Sequence, residues 1–385
     1  MKILLFANTD WYLYNFRLSL AKAIQGAAID IVLISPPGEY SERLISEGFR
    51  WIPINMDRRS VNPLSQIFVI ARLTQIYKKE RPDLVHHFTL KCVLYGTIAA
   101  RFAKVRNTVN AVAGLGYVFT NSGLLARSLR LPVKVLLRVL MKDNWNRLIL
   151  QNRDDCNVFL EEKIIDRENI RIILSSGVDV ERFSPKPREQ ESKKLNVLLA
   201  TRMLWDKGIK EFVEAARILR SSGCSANFLL AGAPDQGNPS SVSEVLLTEW
   251  GEEGIVQYVG VVEDMATFLE QIDMVVLPSY REGVPRILLE AAATGLPLIA
   301  TDVPGCREIV SHRVNGLLVP ARDAKSLAHA LKQLINDPVL RKAMGEEGRN
   351  RVIHEFDSRI VIEKTFAVYR ELFPSFNKHL QTVAL

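Results

Sequence analysis

A chain of 385 residues, 48% hydrophobic and 24% charged, has the composition of an ordinary globular protein and is long for a single core, which excludes a disordered or fibrous molecule and favours two domains. No run approaches the roughly eighteen uninterrupted apolar residues of a membrane-crossing helix, and residues 1–7 are too short for a signal-peptide core and read as a first strand. Four scattered cysteines (Cys92, Cys156, Cys224, Cys306), with no Cys-x-x-Cys pair, point to a reducing compartment and away from a zinc site.

The net charge of +7 is unevenly spread. Residues 1–190 hold 28 Lys and Arg against 18 Asp and Glu, and the remainder 22 against 25. The basic half implies an anionic partner: nucleic acid, an anionic membrane surface or a phosphorylated substrate.

In chain order, strands over 3–6, 29–34, 83–86 and 107–112 alternate with helices over 16–24, 40–47, 69–79 and 95–103. Residues 114–116 (Gly-Leu-Gly) read as a flexible turn. The stretch 124–150 is different: Arg127, Arg130, Lys134, Arg138, Lys142 and Arg147 recur every three or four residues among apolar ones, broken at Pro132. Such a basic amphipathic stretch can lie on an anionic membrane; a solvated helix face has the same pattern, and the basic first half tips the balance towards the membrane. Proline and charge concentrate at 184–194, where the linker is expected. Alternation then resumes, with strands over 196–200, 226–231, 256–259, 274–277, 298–300 and 317–319, helices between them, and a last helix over 359–373 crossing back to the first domain. The expected architecture is α/β: two doubly wound, Rossmann-like domains, 1–187 and 188–357, facing each other across a cleft, with a returning segment 358–377. Ligands then bind at the carboxyl ends of the strands.

Two loops carry candidate chemistry. After the strand at 274–277, Pro285 suits the first position of a helix, and Gly295 with Pro297 ends it after roughly ten residues. Glu282 stands before that helix and Glu290 within it, so one carboxylate sits at an anion-attracting helix mouth; dipole complementation plus one solvated acid explains the pair equally well. After the strand at 196–200 come Arg202 and Lys207, closed by Gly208; they can hold a phosphate as a fork and a point charge, although this loop alone reads more readily as a pair of surface cations. Together the two loops fit a diphosphate ester. No Asp-x-Asp pair is present, so a departing diphosphate would be neutralised by Arg202, Lys207 and helix-end N–H groups without a metal or other cofactor. There is no Gly-x-Gly-x-x-Gly after the first strand and no P-loop, which counts against a dinucleotide dehydrogenase and a P-loop nucleotidase.

The pattern Arg202-x4-Lys207-Gly208 with Glu282-Gly-x-Pro285-x4-Glu290 resembles the retaining glycosyltransferases of family 4, which have the GT-B fold; Gly177-Val-Asp179-x3-Phe183-x-Pro185, Asn315-Gly316 and Gly348-Arg-x2-Val352-x3-Phe356 add to the likeness. The resemblance implies that Arg202 and Lys207 grip the donor diphosphate, that Glu282 lies beside the donor sugar and that Glu290 receives the ribose hydroxyls. It implies that Gly283 and Val284, with Pro285 behind them, present backbone N–H groups, and that Val261 and Val262 lie against the nucleotide. It also implies retention by same-face attack with the leaving phosphate as base, and leaves open whether Glu282 is ever a nucleophile. Residues 89–96, 114–119 and 204–212 are similar to bacterial enzymes of surface-polysaccharide and N-glycan assembly. These move a hexose or N-acetylhexosamine from a UDP-sugar, here expected to be N-acetylgalactosamine, to a saccharide on undecaprenyl diphosphate. Asn15, Arg17, Lys91 and Gly116 are then the acceptor-side candidates. The histidine that many family members carry near the donor sugar has no counterpart in residues 111–116, and His86 and His87 read as structural. The expected setting is the cytoplasmic face of the inner membrane, with the anionic membrane surface as a partner. Nucleic acid is not expected as one, because no aromatic-rich basic motif is present. The rival readings are a soluble family member acting on a non-lipid acceptor and a non-catalytic nucleotide-sugar-binding module.

Overall fold

Parallel strands that are buried on both faces read as near-continuous apolar runs, and the runs foreseen in the sequence build two such sheets. The computed structural model describes residues 1–57, 60, 62–114, 119, 123–186, 194–235 and 237–376. By contacts the chain divides into two units, Met1–Ser176 with the residues from Val361 on, and Gly177–Ile360.

The strands are β1 (Lys2–Phe6), β2 (Asp30–Ser35), β3 (Arg50–Pro53), β4 (Leu84–Phe88), β5 (Asn107–Val112), β6 (Asn146–Leu150) and β7 (Ile170–Ile172) in the first unit. The second holds β8 (Leu195–Ala200), β9 (Ala226–Ala231), β10 (Gln257–Gly260), β11 (Met274–Leu277), β12 (Leu298–Thr301) and β13 (Gly316–Val319). The helices that matter for the sites are α1 (Leu18–Gly26), α2 (Pro63–Glu80), α3 (Leu90–Ala103), α4 (Leu124–Met141), α5 (Ile209–Ser221), α6 (Arg286–Ala293) and α7 (Ser358–Leu372).

In the first unit the order is β3-β2-β1-β4-β5-β6-β7, parallel throughout. Alternation along β1 sends Ile3 and Leu5 to one face, with Leu20 and Ile24 of α1 and Phe366 and Tyr369 of α7. Leu4 and Phe6 go to the other, with Leu73 and Ile76 of α2 and Cys92 and Ala99 of α3. Beyond them Val93 of α3 packs with Leu137 and Leu140 of α4 over Leu148 and Leu150 of β6. Helices α2, α3 and α4 thus form one layer, with α3 in the middle.

The structure departs from the sequence reading in five places, the smallest being α3, which starts at Leu90 where 95 was expected. The stretch 124–150 is not one amphipathic element: α4 runs through Pro132 to Met141, and β6 follows. Arg147 is therefore on a strand, where its Nε donates to Glu371 of α7 at 2.9 Å; Arg171 of β7 binds the same carboxylate. Lys134 pairs with Glu162, and Arg138 donates to the carbonyls of Glu162 and Lys163. Helix α2 starts at Pro63, well before 69, because Asn62 caps it by accepting from Leu64 N at 3.0 Å and proline suits the first helical position. The short strands β3 and β7 lack a run long enough to be read. Finally, the chain passes between units at Ser176–Gly177, ahead of the proline-rich stretch. Val178 N bonds Phe356 O at 3.0 Å and Ser358 N bonds Val178 O at 2.9 Å, so the two ends of the second unit are clamped side by side.

The second sheet has the order β10-β9-β8-β11-β12-β13, again parallel.

Candidate active site

In the second sheet the strand order reverses between β8 and β11, and loops leaving the two strands at such a point diverge to open a crevice at their carboxyl ends. These are the two loops singled out in the sequence. Lys207 Nζ donates to Glu282 Oε1 at 2.6 Å, and both side chains are largely buried. Tyr280 N donates to Asp206 O at 2.9 Å, tying one loop to the other.

Glycine makes the close approach possible. Gly208 has φ +74°, and a side chain there would overlap the Pro278 carbonyl; Gly305, at φ +81° after β12, stands in the same relation to the Gly283 carbonyl. The loops after β8, β11 and β12 are therefore packed backbone against backbone. Cys306 is buried next to them, and burial, then the charge of Glu282, pushes its thiol up.

Helix α6 rises from the β11 loop. Pro285 is its N-cap, one position before the first helical residue, and it spans eight residues where about ten were expected. Its end is a left-handed cap: Gly295 has φ +76°, Gly295 N bonds Ala292 O and Leu296 N bonds Ala291 O, both at 2.9 Å. No side-chain hydrogen bond caps α6 at Pro285, and its first N–H groups stand where Gly283, Val284 and Pro285 lead into the helix. Glu290 is buried within α6; burial raises its carboxyl above the ordinary value and Arg286 opposes the shift, its Nε donating to Glu290 Oε1 at 2.6 Å.

Not every candidate is gathered here. Arg202 is exposed and turned towards the loop after β9, where its Nη1 donates to Asp235 Oδ2 at 2.9 Å. Val261 is exposed and Val262 half-buried, on the loop after β10; that loop joins the β9 loop through Gly232 N to Gly260 O at 2.7 Å. Asp235, Arg286 and Gly305 were missed in the sequence. A signal was available, since Asp235 and Gly305 follow strand ends in the runs Gly-Ala-Pro-Asp and Val-Pro-Gly.

The first sheet has its own reversal, between β1 and β4. A π-helical turn, Leu13–Arg17, lies in the β1 loop. It buries Arg17 to 6% exposure. The guanidinium lies 4.3 Å from the Phe88 ring centre, Nη2 donates to Tyr12 Oη at 2.9 Å, and Nε has no partner. Beside the same Phe88 ring, at 4.1 Å between centres, stands His86. His86 Nδ1 shares a hydrogen bond of 2.7 Å with Tyr369 Oη while Nε2 is unpartnered; burial, then the charge of Arg17, holds the imidazole well below its usual range. Thr89 follows at φ +73°, with its side chain towards Cys92 of α3. Among the described residues Arg17 has no carboxylate partner, and a buried cation of this kind, with the unsatisfied His86 Nε2 beside the same ring, can accommodate an anion. His87 is structural: it bonds Tyr77 Oη at 3.1 Å and Asn110 Oδ1 at 2.9 Å, and burial lowers it to about 4. Asn15 donates to Trp11 O at 3.0 Å. Lys91 Nζ, lowered by burial, donates to the carbonyls of Asp57 at 2.6 Å and Ser60 at 2.8 Å, so it braces the loop before α2. Gly116 lies outside the described residues. Among the described residues there is no group of three or more His, Cys, Asp or Glu that could hold a metal.

Comparison with known proteins places both sites in context. The family model described as glycosyl transferase 4-like matches residues 2–152, and that described as glycosyl transferases group 1 matches residues 180–351. The N,N'-diacetylbacillosaminyl-diphospho-undecaprenol alpha-1,3-N-acetylgalactosaminyltransferase of Campylobacter jejuni is 29% identical over 96% of this chain and 98% of its own length. The UDP-Gal:alpha-D-GlcNAc-diphosphoundecaprenol alpha-1,3-galactosyltransferase of Escherichia coli is 27% identical over 82% of each. The crystal structure of Anabaena HepE in complex with UDP superposes with a TM-score of 0.78 at 20% identity, over 97% of this chain and 100% of that one.

Proposed function

Because the chain belongs to the glycosyltransferases, with a 4-like first domain, a group 1 second domain and the GT-B fold, we propose that it moves an N-acetylhexosamine or hexose, N-acetylgalactosamine first, from a UDP-sugar to a saccharide carried on undecaprenyl diphosphate. The observation that carries this reading is the Lys207–Glu282 pair at the strand reversal, beside the N-terminus of α6. The relatives named above act on diphospho-undecaprenol saccharides and match over most of their length, which supports the acceptor class.

In this reading the donor diphosphate meets Lys207, the first N–H groups of α6 and Arg202, whose guanidinium exchanges Asp235 for phosphate. The bond between the anomeric carbon and the diphosphate oxygen breaks, and its electron pair leaves with UDP. The acceptor hydroxyl oxygen bonds the same carbon from the same face, and its proton passes to the departing phosphate oxygen. Glu282, held by Lys207, faces the positive charge that develops on the sugar. Glu290 receives the ribose hydroxyls, trading its bond to Arg286 for them. In the first unit Arg17 takes the acceptor diphosphate, and the enzyme works at the membrane that holds this lipid.

Charge neutralisation by Arg202, Lys207 and α6 needs no divalent cation, so turnover is expected to be unchanged in excess EDTA; a loss restored by Mg2+ or Mn2+ would contradict it. Proton NMR of the product tests the stereochemistry: an α-configured donor should yield an α-linkage, and a β-linkage would overturn the same-face mechanism.

A further inference from the structure

We propose that the outer surface of the α2–α3–α4 layer lies on an anionic bilayer, with Leu64, Ile67 and Phe68 of α2 and Leu131, Val135 and Val139 of α4 seated at the headgroup–acyl boundary. The proposal rests on the lipid-linked acceptor argued above and names the surface that brings the enzyme to it.

The apolar side chains are spaced for one face. Leu64, Ile67 and Phe68 stand at i, i+3 and i+4 of α2 and are 68%, 60% and 75% exposed. Leu131, Val135 and Val139 follow at i, i+4 and i+8 of α4, each at least half exposed. Helix α3 packs between the two and joins them in a single layer.

Charge decides what covers this face. The three helices together carry nine Lys and Arg against one acid, Glu80; Arg101 and Lys134 are paired with Asp143 and Glu162 outside the helices, and Lys91 and Arg138 are held on carbonyls. Glu80 is buried and occupied by Lys2 and Arg50. Arg72, Lys78 and Lys79 are exposed on α2 and make no ion pair among the described residues. Apolar residues flanked by unneutralised cations fit anionic lipid, which offers both a hydrocarbon boundary and negative headgroups. Nucleic acid would leave the apolar residues in water.

The placement serves the reaction. The exposed residues of α2 occupy its first two turns, which follow β3 and so stand at the carboxyl ends of the strands. Arg17 and Phe88 lie at that same end, and Lys91 of α3 grips the loop before α2. A diphosphate at the bilayer surface would reach the Arg17 cluster without leaving its lipid.

The test is flotation of the full chain with vesicles of phosphatidylcholine plus phosphatidylglycerol, and with phosphatidylcholine alone. The protein should float with the mixed vesicles only. Ile67→Asp with Phe68→Asp, Leu131→Asp with Val135→Asp, and Arg72→Glu with Lys79→Glu should each lower the bound fraction at least about tenfold. Val245→Asp with Val339→Asp, exposed apolar positions of the second unit, should not. UDP release with an acceptor on a short, water-soluble prenyl chain is followed in parallel. Variants that keep it but fail to float are folded and support the proposal. If the parent floats but releases no UDP, the transferase reading fails while the docking surface stands. Variants that float like the parent would overturn the proposal. So would a parent that ignores mixed vesicles and instead self-associates through residues 67 and 68.

Discussion

Lys207 and Glu282 lie 75 residues apart in the chain and 2.6 Å apart in space. Each follows a strand next to the sheet's reversal, so the fold needs only two short loops to bring them together. Replacing Lys207 by Ala should lower turnover by about 10²–10³-fold, the usual cost of removing a preorganised charge from a leaving group, with an unchanged circular-dichroism spectrum; near-normal kcat would contradict its role. Gly208→Ala tests the loop rather than the charge. The new methyl would sit at a positive φ against the Pro278 carbonyl, a strain of order 1–3 kcal/mol. Shifting Lys207 by an ångström should cost about 10²-fold in kcat. Unaltered kcat and Tm would show that the backbone approach has no catalytic consequence. At this scale the sequence was readable where a residue's place follows from its strand, as for Lys207, Glu282 and Glu290. It was not readable where a long side chain chooses between neighbours: Arg202 turns to Asp235, and Lys91 to two carbonyls.

Helix α2 shows how an element ties the layers together. Its last residue, Glu80, accepts from Arg50 of β3 at 2.6 and 2.8 Å and from Lys2 of β1 at 3.1 Å. Burial raises the Glu80 carboxyl, but the hydrogen bonds from Lys2 and Arg50 outweigh it and leave the group below its ordinary 4.5. A carboxyl lowered by folding stabilises the fold above its unfolded value, and the contribution fades as pH falls through the folded one. Glu80→Gln should therefore cost about 1–3 kcal/mol near neutral pH, and the two Tm values should converge as the pH falls below 4.5; a gap independent of pH would contradict the ionised network. The elements also mark where pattern reading fails. Spacings of three and four drew Arg147 into a helix, although the short buried apolar run Leu148–Leu150 belongs to a strand whose second residue, Arg147, anchors Glu371. The start of α2 went unread because a cap and a proline look like a loop until the helix behind them is seen, and that unread turn holds Leu64, Ile67 and Phe68.

The whole molecule is two parallel sheets of related topology, each reversing its strand order once. Alternation of apolar runs made this architecture legible before any coordinates, because strands buried on both faces admit few other compositions. The motifs beyond the loops turn out to hold the frame: Gly177 and Val178 clamp the ends of the second unit, and Arg349 donates to the carbonyls of Phe183 and Ala293. The Lys207–Glu282 pair is thus built from loop residues, and the Arg17 cluster from buried ones gathered at a π-helical turn. The measurement that bears most directly on the account is UDP release across a panel of UDP-sugars, with and without an undecaprenyl-diphosphate-linked N-acetylhexosamine, and with the Glu282→Ala protein as the blank. The account predicts release from one donor, only in the presence of the lipid-linked acceptor, and none from the variant. Release that ignores the acceptor, survives in Glu282→Ala or fails with every donor would contradict it.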